Sequence, residues 1–337
     1  MQIPWPLSLL SFDYLLIRIL CLLACLSSCG ALILKVYGVL PMQKTILYGY
    51  SISVLLLFLV WHSSRTRTYR AVGESIALGA VAGFVATLTY DPARVPFLLA
   101  GQRVFMTNDT YGVWIAEADI SSRFTDTLGW TYHFSNGITF GIIYALFLRG
   151  QHWAWAVLYA LMLETVNLMT PFKEIFGLSN NWLAILILYL GHIAFGIPLG
   201  FITRDWGAWL GRMRNLPAWG KVAGLALGPA VAIPILISPE RTAFDNRAEV
   251  GVLRIEGELL NPEIIRTRRG LDPQLYNPGP APVMVANKTV GGNFQVPAGA
   301  RVLATMPHSG VFQLFVETSA RSISSFVIVE PVEETPR

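Results

Sequence analysis

Cysteine is scarce: Cys21, Cys25 and Cys29 are the only three, and all lie in the first apolar stretch. The C-terminal part therefore has no disulfide and no thiolate metal ligand. Five histidines are too few for the multi-histidine di-iron site of a membrane desaturase. No Gly-x4-Gly-Lys-Ser/Thr loop, dinucleotide fingerprint, His-Glu-x-x-His helix or Gly-x-Ser-x-Gly elbow occurs. Those absences set aside nucleotide-driven work and the corresponding hydrolases. Charge is sparse too, with 14% of residues charged against 53% hydrophobic. The net charge of +4 is modest and its arginines cluster in short loops, so nucleic acid is not an expected partner.

What is abundant is apolar sequence of membrane-spanning length. Residues 1–239 read as a membrane all-α bundle of about seven transmembrane helices, near 14–36, 45–62, 73–91, 131–148, 153–170, 181–203 and 221–238. Residues 240–249 read as a linker, 250–331 as a small all-β sandwich and 332–337 as a tail. The three cysteines recur at every fourth position and define one helix face. Leu26-Ser27-Ser28-Cys29 resembles a lipoprotein cleavage box, with Cys29 as the lipidated residue. The apolar run continues through Gly30-Ala31-Leu32-Ile33-Leu34, which favours an uncleaved first helix instead.

Flanking charge gives the spans a direction. Arg65, Arg67 and Arg70 follow the second, Arg149 the fourth, and Arg204, Arg212, Arg214 and Lys221 the sixth. Seven spans put these loops on one side. The positive-inside rule makes that side cytoplasmic, leaving the N-terminus inside and the β-domain periplasmic or extracellular. Trp61, Trp130, Trp153, Trp182, Trp206, Trp209 and Trp219 fall near span ends, as interfacial anchors do. The 92–130 connection mixes apolar and charged residues, which suits a re-entrant or interfacial segment.

Two spans carry one cassette, His-x3-Gly-x3-Gly: His133-Gly137-Gly141 and His192-Gly196-Gly200. Two others bring a carboxylate to hydrocarbon depth, Glu164, or to its edge, Asp91. Ionisable groups in a bilayer are expensive, and those retained usually face the bundle interior and mark a functional site. Asp91, His133, Glu164 and His192 are therefore the expected intramembrane polar site, with His192 deeper than His133. Arg94, Asn136 and Asn167, and Ser135 beside His133, would support it by hydrogen bonding. Arg94 has an alternative role as ion-pair partner of Asp91. His133, His192 and Glu164 suit a single metal ion, or the two histidines a haem iron, with the glycines giving room for the porphyrin. The duplicated cassette also suggests a repeat of two helix pairs. Helix glue, metal or haem binding, and proton or ion transfer all stay open for these residues.

In the β-domain, Asn261-Pro262-Glu263-Ile264-Ile265-Arg266-Thr267-Arg268-Arg269-Gly270, Val296-Pro297-Ala298-Gly299 and His308-Ser309-Gly310-Val311-Phe312 follow one another. This order resembles the cupredoxin family over about 80 residues: its Pro-x-x-Ile-x-Val-x-x-Gly edge, its proline-glycine turn and its approach to the copper loop. The resemblance implies a cupredoxin-like sandwich. Cupredoxins hold copper with a cysteine and two histidines, whereas this domain has no cysteine and one histidine, His308. Type 1 copper is thus not expected, and Met306 with His308 makes at most a weak Cu(I) site. Arg266, Arg268 and Arg269 form a basic edge for an acidic partner, or one that blocks sheet pairing. The membrane half resembles uncharacterised bacterial polytopic membrane proteins.

Three functions fit these features. The chain is an accessory or scaffolding subunit of a membrane assembly, such as an electron-transfer complex, docking other subunits through the outward domain. Alternatively it is a membrane-embedded metal or haem enzyme using the Asp/His/Glu/His site on a lipid or quinone-like substrate. As a third reading it is a proton-coupled transporter.

Overall fold

A computed structural model describes residues 12–64, 69–100, 102–179, 181–208, 251–318 and 324–331. Its helices are α1 (Phe12–Val36), α2 (Met42–Ser63), α3 (Arg70–Tyr90), α4 (Val95–Leu99), α5 (Met106–Ala116), α6 (Arg123–Leu148), α7 (Ala154–Leu168), α8 (Phe172–Ile175) and α9 (Trp182–Arg204). Four stretches among the described residues are long and apolar enough to cross a membrane: Tyr14–Val36, Met42–Ser63, Arg70–Leu99 and Trp182–Arg204. Their surfaces agree with that solvent. Leu47, Tyr48, Ile52, Leu55 and Phe58 of α2 are each more than half exposed, an apolar face that water would penalise and lipid accepts. The expected span 221–238 lies outside the described residues, as do Arg212, Arg214, Lys221, Trp209 and Trp219.

Two helices depart from their expected bounds for local reasons. The expected fourth span begins near residue 131, but α6 starts at Arg123. Ser122 and Thr125 cap it reciprocally: the Thr125 N–H donates to Ser122 Oγ, and the Ser122 N–H to Thr125 Oγ1. Such an exchange satisfies orphan amides of the first turn. Helix α7 is cut short at Leu168, giving 15 residues, or roughly 22 Å at about 1.5 Å per residue. Pro171 disfavours helical backbone at Thr170. The Thr170 hydroxyl turns back to donate to the Asn167 carbonyl at 2.7 Å.

The chain divides into two compact units that are discontinuous in sequence. The first gathers the described parts of Met1–Ala93, His133–Val166 and Tyr189–Leu225. One core cluster joins α3, α6, α7 and α9 through Ala82, Ala86, Tyr144, Ala156, Ala160 and Leu199. A second joins α1 and α2 to α3 and α6 through Cys21, Cys25, Leu57, Val72 and Ile142. The cysteine face is thus partly core: Cys21 and Cys25 are buried, and Cys29 is intermediate.

The second unit combines Arg94–Tyr132 and Asn167–Leu188 with the described C-terminal strands. Strands β1 (Val252–Glu256), β2 (Leu259–Asn261), β4 (Gln274–Tyr276) and β7 (Arg301–Leu303) form one sheet in the order β2-β1-β4-β7. Strands β3 (Ile264–Arg268), β5 (Val283–Asn287), β6 (Asn293–Val296), β8 (Gly310–Val316) and β9 (Ser324–Glu330) form the other, in the order β3-β9-β8-β5-β6. Both sheets are mixed, because β1 runs parallel to β4 and β3 parallel to β9. They share one core, in which Leu253, Leu275, Val285, Phe312, Leu314 and Val327 are wholly buried.

The basic edge of β3 is covered only in part: Arg266 is paired, whereas Arg268 and Arg269 are exposed. Residues Asp119–Ser121 run along it: the Arg266 N–H donates to the Asp119 carbonyl at 2.7 Å, and the Ser121 N–H to the Ile264 carbonyl at 2.9 Å. The Arg266 guanidinium pairs with Glu117 at 2.8 Å and is 12% exposed. Pairing therefore protects the Ile264–Arg266 part of this edge. Nearby, Arg103 pairs with Glu263, and the two side chains are only 4% and 6% exposed. His308 is exposed with its Nδ1 on the Ser309 carbonyl, whereas buried Met306 takes the Asn287 amide.

Candidate functional site

Helix α6 docks on α3 backbone to backbone. A Cβ added at Gly141 would lie 2.3 Å from the Gly79 carbonyl oxygen and 2.6 Å from Gly83 Cα. One added at Gly83 would lie 2.2 Å from the Gly137 carbonyl oxygen. Only glycine permits this approach, the usual basis of small-residue helix contacts in membranes. Following the two antiparallel helices along the contact leads to His133 and Asp91. His133 Nε2 lies 3.1 Å from Asp91 Oδ1, with Asp91 buried and the imidazole 15% exposed.

Helix α9 docks on α7 in the same manner. A Cβ at Gly196 would meet Val157 Cα at 2.5 Å, and one at Gly200 the Trp153 carbonyl oxygen at 2.6 Å. Again the contact leads from the glycines to a histidine and a carboxylate. His192 Nε2 lies 3.5 Å from Glu164 Oε2, with Glu164 buried and the imidazole 16% exposed. Each cassette therefore works as one device. Its glycines seat a partner helix, and its histidine takes the carboxylate which that same helix carries.

Tyr90 brings the two devices together. Its ring packs against His133, with centroids 5.5 Å apart, and edge-on against His192 at 5.1 Å. Gly191 makes the room, since a Cβ there would lie 2.7 Å from Tyr90 Cε2. Beside it, the Thr89 hydroxyl donates to the Ala194 carbonyl at 2.9 Å, tying α3 to α9. The sequence reading missed Tyr90. Its signals were the position next to Asp91 and the extra glycine preceding His192. The two histidines, expected at unequal depth, both pack on this one ring. His133 sits ten residues into α6, in the body of the helix, because α6 starts at Arg123.

The supporting residues are placed as follows. Asn136 accepts a hydrogen bond from Ser28 of α1, and Tyr50 bonds Ser135 and Ser28, so this polar cluster fastens α1 and α2 to α6. Arg94 donates to the Val104 carbonyl at 2.9 Å and lies over the Phe105 ring. The Asn167 carbonyl accepts from Thr170.

Carboxylate–imidazole pairs are acid–base units: a proton on either partner is stabilised by the other, and the phenol of tyrosine can donate or accept. A shared metal is less well served. The suggested ligands His133, His192 and Glu164 are split between two pairs. Among the described residues no group of three potential ligands converges. A bis-histidine haem needs one nitrogen of each imidazole to face a single iron. Here each Nε2 faces its own carboxylate. Comparison of the chain with family models, curated proteins and solved structures finds no match.

Proposed function

We propose that this chain is a polytopic membrane protein whose bundle moves protons through paired acid–base groups. The observation that carries the reading is the meeting of Asp91–His133 and Glu164–His192 on Tyr90. Four ionisable side chains drawn from four helices are a costly arrangement in hydrocarbon, and such cost is normally met for function. The same groups acting on a lipid or quinone-like molecule would be the enzymatic form of this reading. Infrared spectra recorded across a pH titration test it. The carbonyl stretch of a protonated carboxyl should appear and vanish, and Glu164→Gln and Asp91→Asn should each remove part of that signal. A wild-type spectrum with no titrating carboxyl band over the range where the protein stays folded would sink the reading.

A second reading, the accessory or scaffolding subunit, is favoured by one feature: each pair joins the same two helices that its glycines seat. The pairs would then be helix glue, and the β-domain a docking module, cupredoxin-like but without type 1 copper. Its two sheets around one core support that likeness.

The topology belongs to the same proposal: about seven spans, with an inside N-terminus and an outside β-domain in a cell (inner) membrane. Basic residues after the second, fourth and sixth spans support it. A phosphatase fused after Arg337 should be active without lysis of the cells. Activity only of a cytoplasmic reporter at that position would reverse the orientation.

A further inference from the structure

The second unit holds a half-open cavity of about 420 Å³ whose lining has two chemical characters. Its lining includes three cationic side chains, Arg94, Arg103 and Lys288, from three separate segments. It also includes Leu183, Ile187 and Leu188, from the first two turns of α9. None of the described lining residues is acidic. The size suits a ligand of several tens of atoms, since such pockets run from roughly 300 to 1,000 Å³.

The two arginines are held in place before any ligand arrives. Arg94 is 2% exposed, anchored on the Val104 carbonyl and stacked over the Phe105 ring at 4.7 Å. Arg103 is anchored by Glu263 and lies over the Phe326 ring at 5.3 Å. Fixed guanidinium groups of this kind lose little freedom on gripping a phosphate, which they match in geometry. Lys288 is exposed and adds a mobile point charge at the rim. The apolar part of the lining decides what hangs from the anion. It is carried by α9, a helix apolar enough to cross a membrane. A small soluble anion would leave Leu183, Ile187 and Leu188 against water, whereas an acyl chain would cover them at about 25 cal/mol per Å².

We propose that this cavity binds an anionic membrane lipid, its phosphate at Arg94, Arg103 and Lys288 and its acyl chain along Leu183, Ile187 and Leu188. The proposal does not depend on the role of the paired histidines. The full chain in detergent, mixed with equal amounts of phosphatidylglycerol and phosphatidylcholine, should show the preference by native mass spectrometry. Phosphatidylglycerol adducts should exceed phosphatidylcholine adducts about tenfold, an energy gap within reach of one charge-assisted contact. Lys288→Glu should remove most of that preference. Ala184→Phe, which fills the cavity from the apolar part of its lining, should remove the adducts themselves. The two variants alter different segments of the lining, so either one that keeps the wild-type melting temperature suffices for the test. Equal binding of both lipids by the wild type would overturn the proposal, as would wild-type behaviour of both folded variants. Glycerol 3-phosphate competing as well as phosphatidylglycerol would overturn it too, because the acyl chain would then contribute nothing.

Discussion

Gly141→Leu is expected to abolish the folded bundle, whereas Gly30→Leu should leave it intact. A side chain at position 141 meets only backbone: the Gly79 carbonyl oxygen at 2.3 Å, Gly83 Cα at 2.6 Å and Gly83 N at 2.7 Å. Backbone cannot swing aside as a side-chain tip does, so α3 and α6 must separate. Overpacking of a core that can adjust costs about 1–3 kcal/mol, and this site exceeds that range because nothing in it can adjust. Separation also pulls His133 off Asp91, leaving a buried carboxylate without its imidazole, itself a penalty of about 3–5 kcal/mol. Position 30 has nothing within 4 Å of its added Cβ, so the same bulk there projects freely. Yield of monodisperse protein and the melting temperature in detergent measure both variants. A Gly141→Leu protein that purifies and melts like the wild type would refute the close approach of these helices.

The cassettes show what was legible in the sequence. Glycines four residues apart announce a helix face of low relief, and a histidine one turn earlier on that face announces a polar partner. Those features pointed to Asp91, His133, Glu164 and His192 as one set. The identity of each pair was harder to read. It follows from which helix each GxxxG face docks on, and docking is decided by tertiary packing rather than by spacing along one helix. Tyr90 was missed for a related reason: its contact depends on Gly191, a glycine with no periodic partner. Helix bounds failed where local chemistry outweighed hydropathy, at the Ser122/Thr125 cap and at Pro171. The β-domain was legible as strands, but its edge was not. The segment that pairs with β3 lies some 140 residues earlier, at Asp119–Ser121, and no pattern within the domain points to it.

Proton movement through the bundle is the direct measure of what the paired groups do. Purified full chain in liposomes with an interior pH dye is driven by a potassium gradient and valinomycin. The wild type should carry protons faster than empty vesicles. Asp91→Asn and Glu164→Gln keep the shape of each carboxylate but cannot take up a proton. Each should lower the rate by about a hundredfold, within the usual contribution of a general acid–base group, while the melting temperature stays near that of the wild type. His133→Gln and His192→Gln should lower the rate likewise through the opposite partners, with a lower melting temperature because each leaves a buried carboxylate without its imidazole. Wild-type protein no faster than empty vesicles, or amide variants that conduct as well as the wild type, would contradict the account and leave the pairs as helix glue.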